Sequence, residues 1–109
     1  MKLPNGDRAI VHIEKLLGYC LNAQHPRGRH KARVFASVGI LPADAEELLD
    51  ALLAAASDAD VRAGEASPFG QRYVIDFDLI RHRRTVRIRS TWMIETGGDL
   101  PRLTSCYVL

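Results

Sequence analysis

The segment His25-Pro26-Arg27-Gly28-Arg29-His30-Lys31-Ala32-Arg33 holds the densest set of side chains able to do chemistry. A glycine at the mouth of a helix leaves backbone N–H groups free, and basic side chains in the first turn add charge. Together they suit an anion such as phosphate, with Arg27, Arg29 and Arg33 as candidate contacts. These cations oppose the positive end of the helix dipole, and local rules are often broken at functional sites. Imidazole exchanges protons near neutral pH, as phosphodiester cleavage without a metal requires, so His30 is a candidate acid or base and Lys31 a candidate charge stabiliser. A solvated basic helix start accounts for the same residues without any function. His82 lies in a presumed hairpin turn and His12 in an N-terminal extended segment; these two and His25 are weaker candidates.

A second basic cluster spans residues 81–89. Arg87 and Arg89 alternate with Val86 and Ile88, so they point to the polar side of a strand. Pairing across the strands with Asp76 and Asp78 explains them structurally, whereas a sheet face offering guanidinium groups to phosphate explains them functionally. Thr91 shares that face. The tail adds Arg102, Thr104, Ser105 and Tyr107 on a terminal strand, where a regular alternation sends Thr104 and Ser105 to opposite sides and puts Tyr107 on the side of Ser105. Strand propensity alone also favours Thr and Tyr here. No residue pattern fits a metal site, a Gly-rich phosphate loop or a Ser-His-Asp triad, and no cofactor is expected. The aromatic residues are few and read as core-facing, which argues against a base-stacking platform.

These residues need a scaffold. Ile13, Leu16, Leu17, Cys20 and Leu21 recur with helical spacing. Asn22–Gly28 reads as a loop, and a second helix over about Arg29–Val38 would bury Val34, Phe35 and Val38 and end at Gly39. A third helix follows Pro42, with Asp44 and Glu47 spaced as a capping box and Leu48, Leu49, Leu52, Leu53 and Ala56 as its stripe. Residues 57–70 read as a loop with some extended character. Beyond them Tyr73–Leu79 and Val86–Ile94 alternate as strands. A two-residue turn at His82-Arg83 would set Leu79 against Val86, Phe77 against Ile88 and Tyr73 against Trp92 on one side, and Asp78 against Arg87 and Asp76 against Arg89 on the other. A last strand spans about Leu103–Val108. The fold class is α+β, with about three N-terminal helices on one face of a C-terminal antiparallel sheet.

The chain has 109 residues, the size of one domain covering 1–109, and its net charge of +2 says little by itself. Charge distribution says more: nine of the fifteen Lys and Arg residues fall in 27–33 and 81–89, and seven of the thirteen acids in 44–65. Cys20 and Cys106 sit among apolar neighbours and read as buried free thiols. No apolar run is long enough for a bilayer and the N-terminus is too polar for a signal peptide, so no membrane partner and a cytoplasmic location are expected.

The order LPNGDRAIV, YCLN, HPRGRHKARVF, GQRYVIDF, STWMI and PRLTSCYVL resembles a bacterial domain family of unknown function associated with polymorphic toxins, over nearly the whole chain. Helices followed by an antiparallel sheet also resemble the Barnase–EndoU–colicin–RelE superfamily of metal-independent ribonucleases. That resemblance implies a helical His or Lys acting with Arg, Thr or Ser, and Tyr from the sheet. The counterparts would be His30 and Lys31, Arg87 or Arg89, Thr91, Thr104 or Ser105, and Tyr107. The implied function is an RNA-cleaving toxin domain, with RNA as substrate and an acidic antitoxin or immunity protein as partner. The alternative is a non-enzymatic module that binds protein or nucleic acid through its basic face.

Overall fold

The computed structural model describes residues 1–109. Its order is a helical half followed by a four-stranded antiparallel sheet, the expected α+β arrangement. Helix α1 begins at Ile13–Lys15 and continues as a π-helical turn, Leu16–Cys20, that puts Leu16 and Cys20 in the core. Helix α2 is Arg29–Ser37 and α3 is Ala45–Asp58. The strands are β1 Arg62–Ser67, β2 Gly70–Arg81, β3 Arg84–Glu95 and β4 Arg102–Val108, adjacent in chain order. No helix is long and apolar enough to cross a membrane.

The β2–β3 register is the one that a His82-Arg83 turn dictates, including Asp76 opposite Arg89 and Asp78 opposite Arg87. Both turn residues have positive φ, 49° and 65°, the backbone of a tight hairpin turn whose twist matches the strands. The alternation buries Ile75, Phe77, Val86, Ile88 and Trp92 on the face that packs against the helices. Ser90 is the one buried polar residue of that face. It accepts the Trp92 indole N–H at 2.9 Å and donates to the Ile75 carbonyl at 2.9 Å, so no polar atom is stranded.

Three sequence expectations need correction. Residues 62–67 form β1, a strand in which every residue is exposed, so it has no apolar alternation to announce it. Val34 is exposed at 44%, while Ala32 and Phe35 carry the buried face of α2. Asp44 does not start the capping box. A single-turn 3-10 helix at Pro42–Asp44 moves the helical entrance back, and the Asp44 carboxylate accepts the N–H of Leu41 at 2.9 Å.

The acids at the start of α3 have a second duty. Arg81 reaches across from the end of β2 to Asp44 at 3.1 Å, Glu47 at 2.6 Å and the Gly39 carbonyl at 2.6 Å. Its side chain is only 11% exposed. Arg81 therefore fastens the hairpin to the α2–α3 junction and leaves the pool of cations available to a ligand.

The N-terminal segment is extended rather than a full strand. Ile10 donates to the Pro101 carbonyl at 2.8 Å and accepts the Leu103 N–H at 3.0 Å, so it lies alongside the start of β4.

Candidate functional site

Lys31 is the residue around which the two halves of the chain converge. The α2 start places it beside β4, where its Nζ lies 3.3 Å from Ser105 Oγ and 3.4 Å from Tyr19 Oη. The same ammonium sits 5.6 Å from the centre of the Tyr19 ring and 5.0 Å from that of Tyr107. No carboxylate lies within ion-pair distance of it. A partly buried cation held by two π faces and two hydroxyls, without a counter-ion, is arranged to receive an anion. Lys15 lies over the same Tyr19 ring at 5.7 Å and adds charge behind it.

The positions follow from local backbone features. Gly28, just before α2, approaches the π-helical turn so closely that an added Cβ would stand 2.4 Å from the Tyr19 carbonyl oxygen. Only glycine lets α2 start there, and that approach is what sets Lys31 against Tyr19. The turn before the helix is tied down by a side chain. His25 Nδ1 accepts the N–H groups of Arg27 at 3.0 Å and Gly28 at 3.1 Å, and its ring packs edge-on against Tyr19 at 4.9 Å. His25 thus caps the turn that leads into α2.

On β4 a bulge falls between Thr91 and Trp92 of the partner strand, since Thr91 pairs with Ser105 but Trp92 pairs with Leu103. The extra residue is Thr104. With Leu103 and Cys106 both in the core, Thr104 and Ser105 share the polar face instead of pointing opposite ways. Thr104 and Thr91 spend their hydroxyls on each other at 2.7 Å and on the Thr91 and Ser105 carbonyls. They fix the bulge, and Ser105 is the hydroxyl it presents.

Arg89 forms a two-pronged pair with Asp76 at 2.8 and 2.9 Å. Hydrogen bonding to Asp76, then to the Tyr107 phenol, holds its guanidinium still more firmly protonated. In return the Arg89 hydrogen bonds lower the Asp76 pKa against the opposing effect of partial burial. Tyr107 therefore stands between two cations, Lys31 on one side and Arg89 on the other.

Directly below lies a thiol pair. Cys20 and Cys106 are both fully buried and unbridged. A hydrogen bond from Cys106, supported by the charges of Lys15 and Lys31, outweighs burial and lowers the Cys20 thiol to about 7, while Cys106 is pushed up. The contact joins the segment carrying Tyr19 to the one carrying Ser105 and Tyr107.

The structure gathers Lys31, Ser105, Tyr107 and Arg89, and adds Lys15 and Tyr19. The helical spacing of Lys15 and Tyr19 puts them on one face, a signal that was readable but is drowned by the apolar stripe beside it. His30 is exposed and makes no side-chain hydrogen bond. Arg27, Arg29 and Arg33 are exposed and unpaired around the same helix start. Arg87 is paired with Asp78 at 3.2 Å and Arg102 with Glu95 at 2.8 Å. No three His, Cys, Asp or Glu side chains come together as metal ligands.

A family model described as a domain of unknown function (DUF6883) matches residues 2–109. No curated protein and no solved structure matches the chain.

Proposed function

We propose a function for a chain that belongs to the family of unknown function DUF6883: it grips an RNA backbone phosphate at Lys31 and cleaves the strand there without a metal. The observation that carries the proposal is the unpaired Lys31 ammonium between Tyr19, Ser105 and Tyr107. A phosphate at this point would take charge-assisted hydrogen bonds from Lys31, with Arg89 close by through Tyr107. The hydroxyls of Tyr19 and Ser105 would orient its non-bridging oxygens. In the cleaving step the substrate's 2′-oxygen bonds to phosphorus as its proton passes to a base. The bond to the 5′-oxygen breaks as that oxygen takes a proton, leaving a 2′,3′-cyclic phosphate and a free 5′-hydroxyl. His30, one residue before Lys31, would serve the proton transfers, and Lys31 would stabilise the charge that builds on the phosphorane. The exposed Arg27, Arg29 and Arg33 would suit an acidic immunity or antitoxin protein covering the site, the partner a toxin domain needs.

A second reading, a phosphate-binding module without catalysis, is favoured by one fact: nothing hydrogen-bonds the His30 ring to orient it. One experiment separates them. The protein is incubated with single-stranded RNA in EDTA, and the ends produced are analysed. The cleaving reading expects cyclic phosphate ends, lost in His30→Ala and Lys31→Met. Binding alone expects intact RNA whose affinity falls with salt. Intact RNA with no salt-sensitive binding sinks both.

A further inference from the structure

The face of the sheet turned away from the helices ends at an aromatic side chain that the core does not use. Phe69, in the β1–β2 turn, is 78% exposed, the most exposed large apolar residue in the chain. This corrects the expectation that every aromatic faces the core. Its backbone is fixed at both polar atoms. The Phe69 N–H donates to Ser67 Oγ at 3.2 Å, and its carbonyl accepts the Thr96 N–H at 2.9 Å. Thr96 also donates its hydroxyl to the Pro68 carbonyl at 2.8 Å. A bare ring on a pinned backbone loses little entropy when something stacks on it.

The ring borders an open groove of about 550 Å³, shared with Arg72, Met93, Glu95 and Arg102. Met93 is buried and stands opposite Arg72 in the sheet register, on the same face as Thr91 and Arg89. Arg102 is held by Glu95 at 2.8 Å, whereas Arg72 is exposed and has no carboxylate partner. Met93 lies four positions from Arg89 in β3, about 13 Å along a strand. The uncovered face therefore runs from an apolar, stackable end with one free cation to the Lys31 end with another. Asp76, at the Lys31 end, and Asp78, one pair beyond it, already hold arginines.

We infer that this face is a track for single-stranded nucleic acid, in which Phe69 stacks on one base, Arg72 meets the adjoining phosphate, and Lys31 holds a phosphate further along the strand. The inference rests on the proposed RNA-binding function and supplies its strand preference and a second subsite. The free cations at both ends complement a polyanion, and a flat exposed ring beside the buried Met93 fits a base rather than a second charge.

The test measures binding of a hexanucleotide RNA, a dinucleotide and an RNA duplex to wild type, Phe69→Ala, Phe69→Trp, Arg72→Gln and Lys31→Met. Phe69→Ala should weaken the hexanucleotide at least about fivefold and leave the dinucleotide unchanged, the loss expected of one stacked base. Phe69→Trp should restore affinity, with quenching of the new exposed indole. Arg72→Gln should weaken the hexanucleotide and lower its salt dependence. Lys31→Met should weaken both single-stranded ligands. If Phe69→Ala binds the hexanucleotide like wild type while Lys31→Met does not, the subsite is wrong and the phosphate site stands. Equal binding of duplex and single strand also overturns the track. If wild type binds none of the three, the functional proposal falls and the track with it.

Discussion

Lys31 Nζ and Ser105 Oγ meet at 3.3 Å although 74 positions separate them in the chain. The contact exists because two irregularities cooperate. The Gly28 approach brings α2 to the edge of the sheet, and the Thr104 bulge turns Ser105 toward it. Since the lysine charge has no carboxylate partner, it adds little to folding. Lys31→Met keeps the aliphatic stem and should change stability by less than about 1 kcal/mol. Anion affinity should fall about tenfold, the worth of one charge-assisted hydrogen bond. Thermal melts beside phosphate and RNA titrations check both halves.

Arg81 is the opposite kind of arginine. Arg81→Met strands Asp44 and Glu47 and should destabilise the domain by about 2–4 kcal/mol, a partly buried pair broken on one side. Arg83→Ala, two residues on and fully at the surface, should move stability by no more than about 0.5 kcal/mol. Urea denaturation followed by the fluorescence of Trp92, fully buried and the only tryptophan, measures both variants.

The hairpin turn stores a correctable cost. His82 and Arg83 hold the left-handed conformation that Asn and Gly adopt more readily. Replacing the pair by Asn-Gly should raise stability by about 1–2 kcal/mol while leaving anion binding as it is. A lower denaturation midpoint would contradict the turn geometry.

Asp76 makes stability acid-sensitive in a defined direction. Its pKa is lower folded than unfolded, chiefly through the Arg89 hydrogen bonds. Its contribution is therefore complete above the unfolded value of about 3.9 and disappears as the pH falls through the folded one. Asp76→Asn should be less stable near neutrality, with a flatter midpoint-against-pH curve below pH ~4. Arg89 stays protonated throughout and adds no titration there.

The thiol pair predicts masking. Both cysteines are fully buried, so a bulky disulfide reagent should find no thiol in the native protein and two after denaturation. Reaction of one thiol before unfolding would show that the segment carrying Tyr19 opens independently of the sheet.

The sequence made the long-period features legible. Sixteen residues of alternation and one turn are enough for the β2–β3 register, because a shift would set Asp76 and Asp78 against Ile88 and Val86. β1 was not legible as a strand, since its residues are all exposed and its only sheet partner is β2. The candidate site was half legible. Lys31, Arg89 and Tyr107 could be named from residue type and strand parity. Ser105 on the same face as Thr104 could not, because a bulge breaks parity without marking the residues around it. The exposure of Phe69 is not legible, because nothing local distinguishes an aromatic turn residue that packs from one that does not. Tyr19 is hard to single out because it lies within an apolar helical repeat whose π-helical turn changes which side chains share a face.

The pairing of Ile10 with the start of β4 sets the order in which the molecule can be completed. The first extended segment has its backbone partners at Pro101 and Leu103, nearly the whole length of the chain away. During synthesis the N-terminal helices can collapse against α3, but Ile10 has nothing to dock on until the last strand has left the ribosome. Closing so long a loop is slow relative to local helix formation. The Lys31 site, which also needs Ser105 and Tyr107, is thus among the last features to form, and a nascent or truncated chain cannot carry it. A domain that cleaved RNA would be inert until its final residues were in place.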